Sequence, residues 1–157
     1  MNRNEYMADR LREVFLDGRW IANTNYKEQL LGVDWMQATR VFGNLNTIAM
    51  LTYHINYYLE GLLNVFNGGS LEIRDKYSFD LPPIQSAQDW EPLMAKLMTN
   101  AEAFVHAVRN MPDSRLDEIF VDKKYGTYLR NIEAVIEHSY YHLGQISMIR
   151  KLVSRAE

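Results

Sequence analysis

A chain of 157 residues, 47% apolar and 24% charged, has the size and balance of a protein that buries one core, so residues 1–157 are expected to form a single domain. A formal charge of -3 and a pI near 5.8 exclude the clustered basic footprint that nucleic-acid phosphates or an anionic membrane surface require. The absence of cysteine excludes disulfides, thiolate metal ligands and a cysteine nucleophile, so any thiol chemistry must come from a bound small molecule.

Along the chain, Met7, Leu11, Val14 and Phe15 recur at the spacing of an amphipathic helix over Glu5 to Leu16, ended by Asp17-Gly18. Met1 to Arg12 carries no secretory core, and no run approaches the roughly 20 apolar residues that cross a bilayer; a cytoplasmic protein is expected. Arg19 to Gly43 reads as a polar connector with short helical pieces at Tyr26 to Leu31 and Trp35 to Phe42. A long second helix is predicted from Asn44 to Asn67, with Ile48, Leu51, Ile55, Tyr58, Leu59, Leu62 and Phe66 along one side. Asn67-Gly68-Gly69-Ser70 stops it, and the loop that follows, to about Gln88, is long enough to cross the molecule and bring helix three parallel to helix two.

Ser86 or Asp89 can cap helix three, with Pro92 favouring the later start; its stripe is Trp90, Leu93, Leu97, Ala101, Phe104 and Val108, before Met111-Pro112. After a second connector, Asp113 to Gly126, Thr127 caps helix four, built on Leu129, Ile132, Val135, Ile136, Leu143, Ile146 and Val153. Ile119 to Val121 is too short to count as a strand. Four amphipathic helices without period-two strands predict an all-α four-helix bundle.

Four histidines remain to be placed. His106 falls opposite Leu97 and Phe104 on its helix and is expected to be exposed and without function. His138 and His142, four residues apart, share one face at about 40° in projection, and both border the apolar stripe. His54 borders the stripe of helix two in the same way. Three neutral imidazoles converging from two helices suit a divalent transition metal, whose coordination water would complete. The alternative is a polar edge of the bundle, and spacing does not decide between them.

Three imidazoles suit zinc, nickel, iron or copper, and affinity order does not settle which occupies the site; zinc and nickel are the leading candidates, with iron and manganese after them. Gln145, one turn beyond His142, can bond a ligand, a water or a neighbouring helix, the last being favoured. Tyr57, Tyr58, Tyr140 and Tyr141 are expected in the core or at its rim. No acid shares a face with the histidines, so no general base is assigned. Nucleotide, zincin and serine-hydrolase motifs are absent.

The segments NTIAMLTYHINYYLEGLLNVFNGG (Asn46 to Gly69), LEIRDKYSFDLPPI (Leu71 to Ile84) and IEHSYYHLGQI (Ile136 to Ile146), with LDGRWIANTNYKEQL near the start, closely resemble the DinB-like (DinB/YfiT) superfamily of metalloenzymes. The resemblance implies a four-helix bundle with up-down-down-up connectivity, a homodimer, and a metal held by one histidine of the second helix and the H-x-x-x-H pair of the fourth. Here these are His54, His138 and His142. It also implies a small-molecule substrate and one of two activities: transfer of a low-molecular-weight thiol such as bacillithiol or mycothiol, or metal-dependent hydrolysis. The rival to an enzyme is a non-catalytic module whose metal or histidine cluster only stabilises the bundle; a solvent-connected cavity beside the site distinguishes the two.

Overall fold

The computed structural model describes residues 2–156 and, among them, is all-helical: α1 (Arg3–Arg12), α2 (Tyr26–Leu30), α3 (Trp35–Ala38), α4 (Ile48–Phe66), α5 (Ala87–Asn110) and α6 (Tyr128–Arg155), with short 3-10 turns between them. The extended character at Ile119 amounts to a single antiparallel bridge to Thr127. No helix of the described residues is long and apolar enough to cross a membrane.

The helix ends follow local chemistry more closely than periodicity. α1 begins two residues before the predicted Glu5, because the Glu5 carboxylate accepts from the Asn2 N–H and ties down the first turn. It runs on through a π-helical turn, Glu13–Asp17, that keeps Val14, Phe15 and Leu16 buried. α3 ends at Ala38 rather than Phe42, its start held by an Asp34–Gln37 capping box. α4 starts at Ile48, not Asn44, because the Thr47 hydroxyl accepts from the Met50 N–H at 3.1 Å.

α5 takes the earlier of the two starts the sequence allows, with Ser86 at the N-cap position and Ala87 first in the helix, despite Pro92. The proline ring removes one N–H from the second turn, but Pro92 and Gln88 are both exposed, so the carbonyl left over belongs to a turn open to solvent. Trp90 holds that turn in place: it is 1% exposed, and its indole N–H donates to the Val33 carbonyl at 2.7 Å. α6 begins as predicted, with the Thr127 hydroxyl accepting from the Arg130 N–H.

The apolar stripes meet in one core. α5 packs against α4 and α1, and α6 packs against α4 and, over a shorter length, α1. Trp90, Phe15, Phe104, Leu97, Leu59 and Ile132 are among its fully buried side chains. The connector between α1 and α4 is stitched to α6 by the Tyr26 hydroxyl, which donates to the Ser139 carbonyl at 2.8 Å, and by Arg150, which donates to the carbonyls of Glu28 and Leu31 at the end of α2.

The loop after α4 does not cross freely. It folds back along the helix and is pinned by the Tyr57 hydroxyl, which accepts from the Arg74 N–H at 2.8 Å and donates to the Arg74 carbonyl at 3.0 Å. The close approach depends on Gly61, where a Cβ would lie 2.3 Å from the Ile73 side chain. A glycine in mid-helix costs about 1 kcal/mol against alanine, a loss offset here by seating the loop that completes the site.

Candidate metal centre

Two elements carry the histidines. His54 projects from the middle of α4, and His138 and His142 from successive turns of α6. The packing of α4 on α6 joins what the sequence separates: the Nε2 atoms of His54 and His138 lie 3.1 Å apart, and those of His138 and His142 2.9 Å apart. Among the described residues, their three ligand nitrogens all lie within 4.8 Å of one another, a group that can hold a metal ion. His106 is exposed on α5, as its helical position predicted.

The outer nitrogens are fixed by partners that point the inner ones at a common centre. His54 Nδ1–H donates to the Ser78 carbonyl at 3.2 Å, and a carbonyl can only accept, so the neutral ring has a bare Nε2. His142 Nδ1 pairs with Gln145 Oε1 at 2.6 Å, which leaves its Nε2 bare in the same way. Gln145 thus holds a histidine of its own helix instead of bridging to another, a role that i, i+3 geometry allows and that the preference for an interhelical bond missed.

His138 Nε2 therefore faces two bare lone pairs and can offer a hydrogen to one of them at most. A cation shared by the three nitrogens satisfies all of them at once. The N–N separations suit it, since rings bound at about 2.0 to 2.1 Å from one ion place their nitrogens roughly 3 Å apart. The second-sphere bonds are of the kind that orient metal-ligating imidazoles. Gln145→Leu is expected to weaken zinc binding by about 10- to 100-fold without changing helical content, as read by competition with a chelating dye and by circular dichroism.

Burial and mutual repulsion keep the rings neutral. His138 is pushed down from its ordinary 6.5 to about 4, first by burial and then by the positive charge His142 and His54 would carry. Burial also lowers His54, assisted by His142 and opposed by the Ser78 carbonyl. His142 is lowered by burial and partly restored by Gln145. Neutral imidazole is the form that binds metal, so near pH 7 the cluster needs no proton removed before it can act as a ligand set.

The same shifts make the metal-free protein acid-sensitive. An unfolded chain protonates these rings near 6.5, and the folded His138 only near 4, so the unfolded state binds more protons in between. The stabilisation is complete above about pH 6.5 and is lost as pH falls through this window. The urea midpoint of metal-free protein is expected to drop between about pH 7.5 and 4.5, with a smaller drop in His138→Gln; equal drops in the two proteins would remove His138 as a cause.

The loop supplies what helical faces could not. Besides the Ser78 carbonyl, it lays the Phe79 ring flat on His54, with centroids 4.0 Å apart and planes 12° from parallel. The Tyr58 ring stands edge-on to both His54 and His138, and its hydroxyl donates to Asp75 Oδ1 at 2.9 Å. Asp75 is the acid that no helix face provided. Tyr57 and Tyr58 are half-buried rim residues as expected, Tyr140 is half-buried, and Tyr141 is exposed with its ring edge on His142.

Next to the cluster, a cavity of about 530 Å³ opens between α4, α6 and the loop segments around residues 73 and 120, with His138 in its wall. Its mouth is formed by the exposed residues Arg74, Asp75 and Tyr125.

Fold and site together define an all-helical protein with a three-histidine cluster that can hold one metal ion beside an open cavity. The family model described as DinB superfamily matches residues 28–146, a span that includes all three histidines and the loop over them, and the chain belongs to that superfamily. No curated protein and no solved structure matches it significantly.

Proposed function

We propose that this protein is a metal-dependent enzyme in which His54, His138 and His142 hold one divalent transition metal, and that it transfers a low-molecular-weight thiol or hydrolyses a small-molecule substrate. The observation that carries this reading is the cavity. A site that only stabilises a bundle is closed by side chains, whereas here His138 forms part of a solvent-connected wall. The pairwise packing of α1, α4, α5 and α6, with long connectors after α1 and α4, supports the up-down-down-up bundle of the superfamily resemblance.

The residues divide the work. Ser78 and Gln145 keep the inner nitrogens of His54 and His142 deprotonated and aimed. The chemistry supplied by a bound ion is Lewis acidity, which favours the deprotonated form of a water or thiol near neutral pH. A thiol from outside takes the place of the cysteine this chain lacks. Asp75, tied to the Tyr58 hydroxyl at the cavity mouth, accepts a proton from the incoming nucleophile. Leu62, Phe120 and Val135 exclude water from the cavity floor.

The test is elemental analysis of the purified protein, followed by reloading with zinc, nickel, iron or manganese. Each form is then screened for transfer of bacillithiol or mycothiol to electrophiles and for ester and amide hydrolysis. Turnover that requires the metal supports the reading. A folded, metal-loaded protein inert in both screens overturns it in favour of a structural site.

A further inference from the structure

The cavity beside His138 also carries a charge pattern that restricts its ligand. Its floor is apolar, made by Leu62, Leu71, Ile73, Phe120 and Val135, and its volume of about 530 Å³ lies in the range of small-molecule sites. A charged group on that floor would lose its hydration without a partner, so any charge on the ligand belongs at the mouth.

Arg74 is the one cation lining the cavity, and among the described residues its guanidinium makes no ion pair or hydrogen bond. Its main chain, in contrast, is clamped on both sides by the Tyr57 hydroxyl. A guanidinium with free donors on a fixed stretch of backbone has already met part of the ordering cost of binding. Asp75, the other charged residue of the mouth, has its carboxylate held by the Tyr58 hydroxyl, so Arg74 is the group there that an anion can pair with.

Resting on the metal-enzyme reading above, we propose that the cavity binds an organic anion: an apolar, aromatic-sized body on the floor, a carboxylate or sulfonate on Arg74, and the reacting end toward His138. The substrate is thus an amphipathic acid rather than a cation or a sugar-like polyol.

A matched pair of fluorescent probes tests this on the full, zinc-loaded chain: 8-anilinonaphthalene-1-sulfonate and its uncharged parent, N-phenyl-1-naphthylamine. The sulfonate is expected to bind at one site, and Arg74→Met to weaken it about 10-fold, close to 1.4 kcal/mol, while the neutral probe binds unchanged. Arg74→Lys should recover part of the loss. Ala134→Phe, which fills the cavity from α6, should exclude both probes. Equal sulfonate affinity in wild type and Arg74→Met overturns the proposal, as does undiminished binding of both probes to an Ala134→Phe protein that still takes up zinc. Should Ala134→Phe lose zinc, the Arg74 pair decides alone. Failure of the wild-type chain to take up zinc sinks the metal reading, and the probe titrations still report the anion site.

Discussion

His142→Ala is expected to abolish uptake of a divalent metal by the folded protein. The ring is 7% exposed, shares a centre with two others, and has its outer nitrogen bonded to Gln145. Removing it leaves two nitrogens and a cavity in place of the third. Loss of a group that merely orients a ligand costs about 10- to 100-fold in affinity, so loss of the ligand itself should exceed about 100-fold. Isothermal titration with zinc measures this, and circular dichroism checks that α6 survives. Wild-type affinity in a folded His142→Ala protein would leave no three-histidine site. A fall in melting temperature with undetectable metal in both proteins would favour the structural alternative.

Trp90→Ala is expected to be the most damaging single change to the fold outside the site. The indole is 1% exposed, and its N–H donates to the Val33 carbonyl at 2.7 Å, joining the connector to α5. Truncating a buried tryptophan costs about 3–5 kcal/mol through lost transfer energy and an unfilled cavity, and the orphaned Val33 carbonyl adds to it. For a domain of this size the loss corresponds to a fall in Tm of roughly 10 °C. Trp90→Phe should retain most of the packing and lose chiefly the hydrogen bond. Urea unfolding of the two variants separates these contributions, and a loss below about 1 kcal/mol in Trp90→Ala would show that the connector is held elsewhere.

Residues of this chain differ in how much of their role is legible in the sequence. That residues 138 and 142 share a face follows from 3.6 residues per turn and from nothing else in the molecule. That Trp90 is buried follows from its place in a stripe with Leu97, Ala101 and Phe104, all fully buried in the fold. The exposed position of His106 follows from the same geometry. Helix starts were less legible, because a cap is a single hydrogen bond: Thr47 moved the start of α4 four residues along the chain, and Trp90 anchored a start that Pro92 argued against.

Local periodicity was enough to establish that this chain makes amphipathic helices, which of their faces are apolar, and that two histidines accompany each other at the edge of one face. These are properties of single helices, set by backbone geometry and the side chains within a turn or two. Tertiary packing alone decided that His54 meets that pair, because the contact depends on how α4 lies against α6. It also decided the roles of Ser78, Phe79, Asp75 and Arg74. Their loop has no repeating period to read, and the group it gives to His54 is a main-chain carbonyl, an atom every residue possesses.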